Sequence, residues 1–188
     1  MPPSSEPPEL LAVVGSVTPP GRLRRAVAEG LQRSSRRTSL LDLADAPLPF
    51  ADGSDPDAET ARALGRIDAA GGVLLATPVY RGSLTGALKN LLDLVPVEAL
   101  EGKPVALLAM GGSPHHFLGA ERHLRDVLAF FGAHVVPVAG YLTSRDFAEG
   151  VPSPAAAETV DALLAGLGRL HDALRGVEAA GPRPLAAR

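Results

Sequence analysis

Apolar residues in this chain gather into short unbroken runs, and between the runs they recur every three or four positions. The first run, over 10–14, is wholly apolar and ends at Gly15-Ser16, which predicts a strand buried on both faces. A short buried helix is the competing reading of so brief a segment. Over 22–31 the pattern changes: Leu23, Ala26, Val27 and Leu31 fall on one helical face, with Arg and Glu between them. The alternation then repeats. Strands are expected over 38–43, 73–77, 105–110 and 135–138, and helices over 58–70, 84–95, 118–131 and 154–174. Gly71-Gly72 and Gly132 stop two of these helices and Pro96 closes a third, while the last has Pro154 in its first turn and Gly176 beyond its end. A loop rich in Pro, Asp and Gly is expected over 46–56.

Five apolar strands alternating with five amphipathic helices specify a parallel sheet covered by helices on both faces, a doubly wound α/β fold. Right-handed crossovers and economy favour the five-stranded order 2-1-3-4-5, in which ligands sit beyond the carboxyl ends of the strands at the switch between strands one and three. Residues 1–8, with four Pro and two Ser, and residues 177–188 read as tails on one folded unit over 9–176.

Composition then narrows the class. A chain of 188 residues can bury about 70% of its unfolded surface in one core, so it needs neither a disulfide nor a structural metal. With no Cys, disulfides, thiolate metal sites and a thiol nucleophile are excluded. A net charge of -3 with no basic stripe excludes a dedicated nucleic-acid binder. The apolar runs are far shorter than the roughly 20 residues of a membrane helix. The N-terminus lacks the basic region and cleavage site of a secretory signal, so a cytoplasmic location is expected.

Three loops carry candidate chemistry, and the expected topology brings them to one edge of the sheet. GSVTPPGR, over 15–22, offers the hydroxyls of Ser16 and Thr18 and a run of backbone amides from Gly21 into a helix N-terminus, where Arg22 can add a charge-assisted bond to a phosphate. It matches neither the Walker loop nor the dinucleotide fingerprint, and a plain Gly/Pro turn is the alternative. In the second loop Tyr80 and the amides over 78–83 offer an apolar wall and donors to a flat ring. The glycines of MGGSPHH, over 110–116, allow close backbone approach, with Ser113 for polar contact. His115 and His116 lack a spaced third ligand, so no metal site is expected.

Three segments, GSVTPPGR over 15–22, ATPVYRGSLTGALKNLLDLVP over 76–96 and AMGGSPHHFLGAERHLRDVLAFFGAHV over 109–135, make the chain resemble the NADPH-dependent FMN reductase family of flavodoxin-like proteins. The resemblance covers about 10–147 and is strongest to the sulfonate-utilisation reductases that feed two-component monooxygenases. It implies that Ser16, Thr18, Gly21, Arg22 and Leu23 surround the FMN phosphate. It also implies that Pro78, Val79, Tyr80, Arg81, Gly82 and Ser83 line the isoalloxazine, and that Gly111, Gly112, Ser113 and His116 close its other edge. Gly21 and Leu23 stand where close relatives carry hydroxyls, and Arg122, beside His123, stands where some relatives place an aromatic residue of their tetramer.

The resemblance implies hydride transfer from NADPH to FMN, with reduced flavin supplied to a flavin-dependent monooxygenase. The cofactors carry that chemistry, so no catalytic side chain is assigned. A quinone, azo or metal-oxyanion reductase with bound FMN is one alternative. A flavodoxin-like electron carrier is the other, although such carriers are more acidic than this chain. The helices over 84–95 and 118–131 carry more apolar residues than one sheet-facing stripe needs, since Leu84, Leu91, Leu94 and Val95 cannot all point one way. A homodimer or homotetramer covering that surplus is expected, with Arg122 and His123 at or near its boundary and Arg122 paired to a carboxylate such as Glu121 or Asp126 of either subunit. NADPH is expected over NADH, with Arg22 or Arg81 near the 2′-phosphate.

Overall fold

The structure is a computed structural model that describes residues 9–18, 21–177 and 184. The tails expected at 1–8 and 177–188 lie outside the described residues, apart from Val177 and Pro184. The elements run β1 (Leu10–Val14), α1 (Arg22–Arg33), β2 (Thr38–Asp42), α2 (Ala58–Ala69), β3 (Gly72–Pro78), α3 (Gly86–Leu94), β4 (Pro104–Gly111), α4 (Gly119–Phe131), β5 (His134–Val135), β6 (Gly140–Thr143), β7 (Phe147–Ala148), β8 (Val151–Pro152) and α5 (Pro154–Leu174). The main sheet has the order β2-β1-β3-β4-β5, all parallel, with β6 also pairing β4. This is the flavodoxin-like arrangement expected.

Strand alternation sorts the core into two layers, because successive side chains of a strand point to opposite faces. Leu11, Val13, Val73, Leu75, Val105 and Leu107 pack under α2, α3 and α4. Their sequence neighbours Leu10, Ala12, Leu74, Ala76, Ala106 and Leu108 pack under α1 and α5. Both faces are therefore covered, which is why the strand runs carry no polar alternation.

The fifth strand differs from expectation. Instead of one strand over 135–138, only His134–Val135 pairs with β4, and the chain returns at Gly140–Thr143 to pair with Leu108, Ala109, Met110 and Gly111. Pro137 has no N–H for the ladder, and Arg125 Nη2 takes the carbonyls of Val136 and Pro137 at 3.1 and 2.8 Å. Val138 stands 76% exposed. Gly140 admits the return, since a Cβ there would lie 2.6 Å from Leu163 Cδ1 and 2.9 Å from Leu108 Cδ1. A short hairpin, β7–β8, follows before α5.

The apolar surplus expected on the third helix is absorbed within the chain. Leu91 and Val95 are buried, and Leu84 and Leu94 pack at the margin of the same core. Glu121 bonds Arg125 at 2.8 Å rather than Arg122, which is exposed and makes no ion pair among the described residues. No helix among the described residues is long and apolar enough to cross a membrane.

Candidate active site

The carboxyl ends of β1, β3 and β4 deliver the three loops to one cleft. β1 stops at Gly15, whose N–H donates to Ala76 O at 2.7 Å. Thr85, the buried N-cap residue of α3, donates its hydroxyl to Gly15 O and accepts from Leu88 N at 3.2 Å. The buried Thr77 hydroxyl accepts from Thr85 N at 3.2 Å and donates to Pro78 O at 2.9 Å. Thr85 thus fastens the first loop to the second, and Thr77 braces the second from within.

Beyond Gly15 the hydroxyls of Ser16 and Thr18 lie 3.0 Å apart. They face the start of α1, where Gly21 is the N-cap residue, no side chain caps the helix and no acidic residue occupies the first turn. The first intrahelical bond runs from Arg25 N to Gly21 O. The amides of Arg22, Leu23 and Arg24 therefore point out of the helix end, an arrangement that favours an anion.

Arg24 lines the cleft as well. Its Nε donates to Asp42 Oδ2 at 2.6 Å, while the other oxygen of this buried carboxylate accepts from Ala44 N at 3.0 Å. Asp42 ends β2, opposite Val14 in register, so strand pairing carries the acid to the floor of the cleft. The Arg22 guanidinium lies 5.8 Å from the centroid of the Phe147 ring, within cation–π range.

The cleft encloses about 280 Å³ and is open to solvent. Of the residues singled out in the sequence, Ser16, Thr18, Gly21, Arg22, Leu23, Pro78, Val79, Tyr80, Gly111 and Gly112 line it, together with Val14, Arg24, Asp42, Met110 and Ser144. Arg81, Gly82, Ser83, Ser113 and His116 are not brought into its wall. Arg81 and Gly82, both with positive φ (53° and 78°), form a two-residue turn closed by paired bonds between Tyr80 and Ser83. That turn carries Arg81 to Ser83 beyond the cleft. His116 sits exposed in the 3₁₀ turn Pro114–His116.

The third loop is anchored from β6. Tyr141 donates its hydroxyl to Ser113 O at 2.7 Å, and a Cβ at Gly111 would lie 2.0 Å from the Tyr141 hydroxyl oxygen, so a side chain at Gly111 would push that anchor away. Burial pushes the Tyr141 phenol above its ordinary pKa. The two residues that sequence reasoning missed with a usable signal are Arg24, a cation in the first turn of α1, and Asp42, a lone acid closing an apolar strand. Ser144 carries no such signal. At the far end of the sheet Glu9, His171 and Asp172 cluster within metal-binding reach, but the Arg36 guanidinium bonds both carboxylates.

The donor set fits a flavin mononucleotide: an uncapped helix end with two hydroxyls suits a phosphomonoester, and Pro78, Val79 and Tyr80 supply a wall for a flat ring. Comparison with known proteins agrees. The family model described as NADPH-dependent FMN reductase matches residues 8–148. The FMN reductase (NADPH) of Pseudomonas aeruginosa is 37% identical over 148 residues, 74% of this chain and 78% of the relative. The NADH-dependent FMN reductase SfnF of Pseudomonas putida is 34% identical over 164 residues, 82% of this chain and 88% of that one. Among solved structures, the apo form of the NADH:FMN oxidoreductase EMOB superposes with a TM-score of 0.66 at 30% identity, covering 95% of each chain. The chain belongs to the NADPH-dependent FMN reductase family, flavin oxidoreductases that act with NAD(P)H and that here occupy a flavodoxin-like sheet.

Proposed function

We propose that this chain reduces FMN at the expense of NAD(P)H in the cleft beyond β1, β3 and β4, and releases reduced flavin to a separate monooxygenase. The observation that carries the reading is the uncapped start of α1 facing the Ser16 and Thr18 hydroxyls in the same cleft as Tyr80. When bound, FMN supplies a hydride acceptor, a chemistry in which the protein's part is alignment. Ser16, Thr18 and the amides of Arg22, Leu23 and Arg24 hold the phosphate. Asp42 fixes the Arg24 guanidinium beside it. Pro78, Val79 and Gly111 shape the inner wall, and Tyr80, 52% exposed, leaves one side open to a nicotinamide. Release of the product fits a cleft that is open to solvent, and the scarcity of side-chain hydroxyls at Gly21 and Leu23 limits how tightly the phosphate is gripped. Exposed Phe117 and Phe130, at 53% and 57%, support self-association through the α4 side of the molecule.

The test is steady-state oxidation of NADPH and NADH with and without added FMN, paired with fluorescence titration of FMN and riboflavin. Turnover that requires added FMN, with FMN bound more tightly than riboflavin, is the expected result. Removing the Ser16 hydroxyl should weaken FMN by about 10- to 150-fold and leave riboflavin nearly unchanged. Equal affinity of the unaltered chain for FMN and riboflavin overturns the phosphate assignment.

A further inference from the structure

The turn that carries Tyr80 is held from outside the cleft. Arg81 is one of two non-glycine residues with positive φ among the described residues, and Gly82 follows it in the same left-handed region, as in the tight turns of hairpins. Such a turn is well formed internally, through Tyr80 N to Ser83 O at 2.9 Å and Ser83 N to Tyr80 O at 3.0 Å. Its direction, however, is set by α4. A Cβ on Gly119, the first residue of α4, would lie 2.6 Å from Gly82 O, so the backbone of the turn rests directly on the helix start. One helical turn further, on the same face, His123 Nδ1 lies 2.7 Å from Ser83 Oγ. Both His123 and the tip of the turn face solvent, and the bond joins residues 40 apart in sequence.

From this geometry we infer that His123 is a positioning residue: through Ser83 it latches the Tyr80–Ser83 turn onto α4 and so sets the outer wall of the flavin cleft. The inference rests on the flavin reading only for its consequence, since the latch itself is a contact between a turn and a helix. The bond removes a degree of freedom from the segment that projects Tyr80, and Gly119 is the complement that lets the turn come close enough for it to form. Without the bond the turn keeps its internal pairing but loses its seat on the helix, and Tyr80 with it.

Arg81, exposed at the tip, makes the latch measurable without any flavin. Trypsin cleavage after Arg81, followed by mass spectrometry on the intact purified chain, reports how often the turn leaves α4. Ser83→Ala and His123→Leu should each raise the cleavage rate at Arg81 by about 2- to 10-fold, the range for loss of one net hydrogen bond. The double variant should cleave no faster than either single one, because both remove the same contact. His123→Asn places an amide where Nδ1 stood and should restore slow cleavage. Singles that cleave like the unaltered chain, a double variant whose effect is the product of the two, or an Asn variant as fast as the Leu variant overturns the latch. Saturating FMN in parallel separates this inference from the functional reading. Protection of Arg81 by FMN with no effect of the variants sinks the latch alone. The expected variant effects without any FMN protection leave the latch standing and count against the flavin site.

Discussion

Replacing Gly15 by Ala tests whether the first loop is positioned by packing as tightly as its contacts imply. A Cβ at this position would lie 2.6 Å from Leu88 Cβ and 3.2 Å from Leu88 Cγ and Cδ2. The first of these atoms is rigid with the backbone of α3, and Leu88 is fully buried, so no rotamer change relieves the clash. The loop has to move away from α3 by about 1 Å to reach ordinary van der Waals separation. That movement strains the Thr85 hydroxyl bond to Gly15 O and the Gly15 N–H bond to Ala76 O, both inside the protein. Overpacking of this kind costs about 1–3 kcal/mol and one weakened buried hydrogen bond adds about 1 kcal/mol, so a loss of about 2–4 kcal/mol is expected. The chain has no Trp, so urea unfolding is best followed by far-UV circular dichroism. The same displacement shifts Ser16 and Thr18 relative to the start of α1, and FMN affinity should fall by more than riboflavin affinity. An alanine variant with unaltered unfolding midpoint and unaltered FMN affinity refutes the view that Leu88 and Thr85 fix this loop.

Asp42→Ala should destabilise the chain by about 2–4 kcal/mol, because Arg24 loses a buried charged partner and the Ala44 N–H loses its acceptor; an unfolding midpoint equal to that of the unaltered chain excludes a structural role for the pair. Lys103 donates from Nζ to Ile67 O and Asp68 O at 2.6 Å each, and burial pushes its ammonium down from 10.5 to about 8. Between pH 8 and 10.5 the unfolded chain therefore holds more protons at this residue than the folded one. The penalty is fully present below that window and relieved as pH rises through it, so stability should rise more steeply with pH than in Lys103→Met; parallel curves count against it. Ala at both Arg22 and Arg81 should abolish any preference for NADPH over NADH in steady-state assays, and an unchanged ratio of kcat/KM removes both from contact with the 2′-phosphate. Light scattering across a wide concentration range should show a dimer or tetramer, and substituting Phe117 and Phe130 by Ser should lower its mass; a monomer at all concentrations refutes self-association.

The run-and-period pattern of the sequence determined the five helices, the first four strands, their order and the two-faced burial of the sheet, because each of those follows from local spacing. An unbroken apolar run such as 10–14 has only one comfortable home in an α/β chain, between two helical layers, and the turn residues that follow β1, β3 and β4 mark the loops of the cleft. The positions of Ser16, Thr18, Gly21, Pro78 and Tyr80 were legible for that reason. What tertiary structure alone decided depends on pairings between distant segments. Strand β6 is four residues long and separated from β5 by Pro137, so its membership of the sheet comes from Leu108 and its neighbours rather than from its own pattern. Tyr141 inherits its hold on Ser113 from that pairing. Arg24 and Asp42 meet because β2 lies beside β1, and spacing alone carries no sign of it. Leu84 and Leu94 read as surplus on a helical wheel, yet they reach the margin of a core wider than a single stripe. Arg81, Gly82 and Ser83 belong to the flavin-facing segment by sequence, but two consecutive positive φ angles turn them toward α4. A backbone reversal changes which neighbour a side chain meets, and that neighbour, 40 residues away, is set by the fold.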